Sequence, residues 1–124
     1  MDTPSLPCPF CEIIAGRAPA TVVREWPDAI AIVPIEQVVL GPVLVIPKKH
    51  VADHAADPET TAVAARRFAE LSRDLGHADN MISNRGRPAT QNVFHLHLHY
   101  LPRATDDGVT LPWYSGRTGK KTSR

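Results

Sequence analysis

The sequence predicts an α+β protein in one domain: an antiparallel sheet of about five strands, one main helix over about 58–75, and a short N-terminal helix. Three observations predict it. The chain has 124 residues, the size of one compact domain. Short apolar runs are punctuated by 7 Gly and 12 Pro, which marks strands between turns. One segment repeats its apolar residues with the period of an α-helix.

The elements follow in chain order. Phe10 to Gly16 make a short helical segment ended by glycine. Thr21 to Trp26 and Ala29 to Val33 form a hairpin about Pro27-Asp28, where proline fixes the backbone and aspartate can bond it. Gly41-Pro42 opens a third strand, Val43 to Ile46, whose unbroken apolar character predicts burial on both faces before Pro47 stops it. The main helix starts at Asp57-Pro58, with Asp57 as cap and Pro58 in the first turn, and ends at Gly76. Ala64, Phe68, Leu71 and Leu75 share its inner face, while Arg66, Arg67, Arg73 and Asp74 form a solvated surface. Met81 to Asn84 and Val93 to Leu101 supply two further strands around the loop Arg85 to Thr90. The domain is expected over 8–114, with 1–7 and 115–124 as flexible termini.

Composition narrows the function. No apolar run approaches the roughly 18 residues of a membrane helix, so no membrane partner is expected. A net charge of +1 lacks the positive field that holds a polynucleotide. Met1 to Pro7 carry no basic cluster followed by an apolar stretch, which predicts a cytoplasmic protein with reduced thiols.

Half of the 6 histidines fall in Phe94-His95-Leu96-His97-Leu98-His99-Tyr100. In a strand, alternation puts His95, His97 and His99 on one face with Val93, and the apolar residues on the other. At about 6.6 Å between successive imidazoles, three rings do not reach one reacting atom, so their roles differ. A neutral imidazole can be nucleophile, proton carrier after charging, or metal ligand. An ordinary polar face and a three-histidine metal site are the alternatives. Cys8 and Cys11 have the spacing of a metal knuckle or a redox pair, and no buried strand precedes them as a redox pair requires. As metal ligands they fill half of a tetrahedral site, leaving histidines as candidates for the rest.

His95-Leu96-His97-Leu98-His99-Tyr100-Leu101 resembles the signature of the histidine triad (HIT) family. So do Asn84-Arg85-Gly86, Ala89-Thr90-Gln91-Asn92-Val93, Leu101-Pro102-Arg103 and Leu44-Val45-Ile46-Pro47-Lys48-Lys49-His50 around it. Cys8-Pro9-Phe10-Cys11-Glu12-Ile13-Ile14 is similar to the amino terminus of zinc-bearing bacterial members, so the likeness spans about 8–103. The resemblance implies a homodimeric nucleotidyl hydrolase or transferase acting at the α-phosphorus of purine nucleotide derivatives, such as adenosine phosphoramidates, adenylates or dinucleoside polyphosphates. His97 would be the nucleophile that forms a covalent nucleotidyl-histidine, and His99 would bond the phosphate oxygens. Asn84, Gln91, Asn92 and the backbone at Val93 would be neutral donors to phosphate, although turn-forming bonds suit the same amides. By the same resemblance, Cys8, Cys11, His50 and His95 would hold a structural zinc, with His54 and His77 as substitutes, and no organic cofactor is implied. Trp113 would stack on a base or leaving group, or anchor the tail.

The chain departs from the family at Pro34, where an acidic residue commonly holds the ribose; Asp28 and Glu36 are the acids nearby. Gly41-Pro42 replaces the usual glycine-histidine pair. Two rival readings are a non-catalytic nucleotide-binding partner protein and a zinc-dependent hydrolase or sensor that uses its histidines directly.

Overall fold

A computed structural model describes residues 8–34 and 41–118. Helix α1 (Pro9–Ile14) is followed by β1 (Val22–Glu25), β2 (Ala29–Ile32), β3 (Val43–Pro47), α2 (Pro58–Leu75), β4 (Asp79–Ile82) and β5 (Leu98–Pro102). The 5 strands form one sheet in the order β1-β2-β3-β5-β4, with every neighbouring pair antiparallel. This is the expected α+β architecture.

Every residue of β2 and β3 is buried, as the unbroken apolar run predicts. One face of the sheet packs on α2 through Ala31, Val43, Val45, Leu98 and Tyr100 against Ala64, Phe68 and Leu71. The other packs Ile30, Ile32, Leu44 and Ile46 against Phe10 of α1. Alternate residues of β2 and β3 thus feed two separate cores.

Helix α2 spans the expected residues and stops at Gly76, which takes the left-handed φ of 73° that favours glycine. Three details differ from expectation. Asp57 makes no side-chain bond to the helix backbone; its carboxylate accepts instead from Thr60 Oγ1 (2.7 Å) and Lys49 Nζ (3.0 Å). Leu75 is 40% exposed beside an open cavity of about 750 Å³ that Val23, Val43 and Tyr100 also line. Arg67 is half-buried rather than solvated, bonding Asp28 at 2.9 Å and Glu70 at 3.0 Å.

The largest departure concerns the last strand. Pairing of β5 with β3 ends at Val45 opposite Leu98, so Val93 to His97 run as bends and irregular chain. The reason lies in β3's end: Pro47 has no N–H to donate, and its carbonyl accepts from the His95 side chain at 2.8 Å. Leu96 N–H turns to the Val51 carbonyl at 2.8 Å instead. Strand β4 starts two residues earlier than its apolar pattern suggests, because Asp79 and Asn80 pair with Pro102 and Leu101.

Beyond β5, Asp107 accepts from Arg103 Nε (2.7 Å), Val109 N–H (2.9 Å) and Ala104 N–H (3.1 Å). Residues 115–118 meet this turn: Gly108 N–H donates to the Gly116 carbonyl (3.1 Å) and Thr118 bonds Asp106. Gly116 has φ 90°, and a Cβ there would lie 2.6 Å from the Gly108 backbone. The rest of the expected flexible termini, 1–7 and 119–124, lies outside the described residues. Among those described, no helix is long and apolar enough to cross a membrane.

Candidate active site and metal centre

Four side chains converge where α1, the end of β3 and the segment before β5 meet. The ligand atoms of Cys8, Cys11, His50 and His95 all lie within 4.8 Å of one another. Cys8 Sγ is 3.4 Å and Cys11 Sγ 3.5 Å from His95 Nδ1; Cys11 Sγ is 3.3 Å from His50 Nδ1, and the two Nδ1 atoms are 3.1 Å apart. His95 Nε2 bonds the Pro47 carbonyl, so that nitrogen carries the proton and Nδ1 turns a lone pair inward. A backbone carbonyl holding the outer nitrogen is how metal-bound imidazoles are oriented. Burial, then Cys8, pushes the Cys11 thiol up to about 11, a cost that a cation binding both groups as thiolates would reverse. The cluster can hold a metal ion. His54 and His77 do not join it: His54 Nδ1 lies 2.6 Å from Ser83 Oγ, and His77 is exposed.

His97 stands beside this cluster, not in it. The ring is 7% exposed, and its Nδ1 donates to the His95 carbonyl at 2.7 Å. That bond leaves Nε2 with the lone pair. Burial lowers the pKa of His97, partly opposed by the carbonyl, and lowers His99 with help from His97's charge, so both are neutral near pH 7. The rings of His97 and His99 are 5.0 Å apart, and Asn84 Nδ2 lies 3.5 Å from His99 Nε2. Although strand pairing begins only at Leu98, the His97 ring contacts that of His99 and bonds the backbone of His95.

The loop before them is braced from within. Gln91 is buried; its Oε1 accepts from Gly86 N–H (2.8 Å), and its Nε2 donates to the carbonyls of Ala52 (2.7 Å) and Val93 (3.1 Å). The bracing role of this amide is therefore the one the structure shows. Thr90 beside it holds a left-handed φ of 69°, unfavourable for a β-branched residue. Asn92 is exposed and Val93 half-buried against the α1 side.

Trp113 is not brought to the histidines within one chain; it is 51% exposed on the turn closed by Leu111 and Tyr114. Asp28 is held by Arg67, Pro34 is half-buried after β2, and Glu36 lies outside the described residues. Sequence reasoning missed Phe10, whose ring contacts His95 and His97. Only its place inside the Cys8-Cys11 spacing hinted at this.

Fold and site define a small α+β protein with imidazoles packed edge to face beside a cluster that can hold a metal ion. A family model described as "HIT domain" matches residues 15–106, and the chain belongs to that family. An uncharacterised HIT-like protein of Mycobacterium tuberculosis is 39% identical over 112 residues, covering 86% of this chain and 78% of the relative. An adenosine 5'-monophosphoramidase of Schizosaccharomyces pombe is 32% identical over 111 residues, covering 87% and 84%. Among solved structures, a HIT family hydrolase from Clostridium thermocellum superposes with a TM-score of 0.74 at 31% identity, over 87% of this chain and 99% of that one. These likenesses support an enzyme of the HIT family.

Proposed function

We propose that the protein hydrolyses purine nucleotide derivatives at the α-phosphorus through a covalent nucleotidyl-His97. One observation carries this reading: His97 Nδ1–H is committed to the His95 carbonyl, which leaves the lone pair on Nε2 of a ring that lies beside His99. Nε2 attacks phosphorus, the bond to the leaving group breaks, and the leaving amine or phosphate departs with its electron pair and takes up a proton. Water then attacks phosphorus, releasing the nucleoside monophosphate and restoring the imidazole. His99, with Asn84 against its Nε2, stabilises charge on the phosphate oxygens. The phosphoramidase name of the fission-yeast relative supports an adenosine phosphoramidate as substrate.

Zinc is the metal that the four-residue cluster suits. Tetrahedral bonds of about 2.0 Å to nitrogen and 2.3 Å to sulfur set ligand edges near 3.3–3.8 Å. Four of the separations in the cluster, 3.1–3.5 Å, approach these, and all of them are within 4.8 Å. Bound there, the ion supplies structure rather than an open coordination position, since four protein ligands close it. The protein works as a cytoplasmic homodimer in this reading; support for pairing comes from the outer edge of β4, unpaired among the described strands, where Met81 is 52% exposed. A binding-only function is favoured by one feature, Pro34, which offers no carboxylate to a ribose.

Incubating the protein with adenosine 5'-monophosphoramidate should give a mass increase of one adenylyl group on the denatured chain. His97→Ala should abolish the adduct and lower turnover by about 10⁴-fold or more. Nucleotide binding with neither adduct nor turnover in the wild type would establish the binding-only function instead.

A further inference from the structure

Phe10 touches both histidine systems. Its ring centroid lies 5.0 Å from that of His97 and 5.9 Å from that of His95, at interplanar angles of 76° and 74°. Edge-to-face contacts at these separations are attractive and directional. The ring is buried among Ile30, Ile32, Leu44 and Ile46, so it has little freedom to turn aside.

The element that carries Phe10 cannot hold itself. Helix α1 has 6 residues, too few for an isolated helix to persist in water. Its start is bonded by its own ligand residue, with Cys11 N–H donating to Cys8 Sγ at 3.4 Å. Apart from apolar packing, what fixes α1 is the approach of Cys8 and Cys11 to His50 and His95. On the His97 side, the bond from Nδ1 to the His95 carbonyl pins one atom of the imidazole, and the set of the ring about that point falls to its neighbours, the Phe10 and His99 rings. The edge-to-face contact with Phe10 opposes a swing of the imidazole.

We propose that Phe10 is a positioning residue that couples closure of the Cys8–Cys11–His50–His95 cluster to the orientation of the His97 ring. With the cluster closed, α1 seats Phe10 against the imidazole and Nε2 keeps one direction. With it open, α1 loosens, Phe10 withdraws, and His97 samples other rotamers. Only the kinetic consequence rests on the nucleotidyl-transfer reading; the positioning is independent of it.

The test uses the full chain loaded with zinc and the variants Phe10→Leu and Phe10→Met, which keep apolar bulk and remove the aromatic edge. Two quantities are read: the His97 ring-proton resonances of histidine-labelled protein, assigned by their loss in His97→Ala, and steady-state turnover of adenosine 5'-monophosphoramidate. Both variants should displace the His97 resonances and lower kcat about 10- to 100-fold, with KM within about twofold of wild type. Chelating zinc from the wild type should displace the same resonances while the α2 amides stay protected. Unmoved His97 resonances in folded Phe10→Leu and Phe10→Met, or in the chelated wild type, would overturn the proposal. If the wild type turns over no nucleotide, the nucleotidyl-transfer reading fails alone, and the resonances still decide the role of Phe10.

Discussion

The two faces of the sheet draw on the same strands and are closed by opposite means. On one, Val43, Val45, Leu98 and Tyr100 meet an 18-residue helix that offers Ala64, Phe68 and Leu71. Burial suffices there, since each large apolar side chain removed from water contributes about 1.5–3 kcal/mol. On the other, Leu44 and Ile46 meet a 6-residue helix with one buried residue, Phe10, and half-buried Ile13 and Ile14, beside thiols and imidazoles whose ligand atoms converge. The face beside the histidines is thus the less self-sufficient one. That inequality is what local unfolding exposes in proteins generally.

Removing the proposed zinc ion should widen the contrast furthest. Chelation at neutral pH is expected to strip hydrogen-exchange protection from the amides of α1 while those of Ala64 to Leu71 keep theirs; equal loss on both faces would erase the distinction. Phe68→Ala attacks the other side. It should cost about 3–5 kcal/mol in denaturant unfolding, because it empties the contact with Tyr100, 5.6 Å away between ring centroids. Metal content of the folded fraction should not change.

The smallest effect concerns the turn after β5, which belongs to neither core. The Arg103 guanidinium, then the amides of Val109 and Ala104, hold the Asp107 carboxyl far below the usual carboxylate range. A carboxyl depressed on folding stabilises the native form fully above its unfolded value of about 3.9, and that contribution fades as pH falls below it. The Gly108 amide, bonded to the Gly116 carbonyl, should therefore keep its protection from pH 7 to 5 and lose it progressively as pH falls below about 4 toward the depressed folded value. Protection of the α2 amides should outlast it, and Asp107→Asn should show the same local loss at pH 7.

Much of this was legible in the residues. Helix α2 could be bounded because Pro58 and Gly76 punctuate it, and β3 because an unbroken apolar run needs two covered faces. The four cluster residues are those the family resemblance implies, and the structure brings their ligand atoms together. What escaped was long-range. The start of β5 depends on what the Pro47 carbonyl does 48 residues away, and Gln91 is consumed by the Ala52 carbonyl 39 residues away. Hydrophobic period carries no trace of either bond. Arg67 was read as solvated because its pairing with Asp28 joins a helix to a turn, and Leu75 as buried because the pattern does not reveal where the sheet beneath it stops.

Cys8 and His95 are 87 residues apart in the chain. A ribosome adding roughly 5–20 residues per second therefore leaves the Cys8 thiol without that partner for about 4–17 s. Cys11 waits only 39 residues for His50, so Cys8 is the sulfur left longest without its histidine, and the cluster is completed last although its first residues are made first.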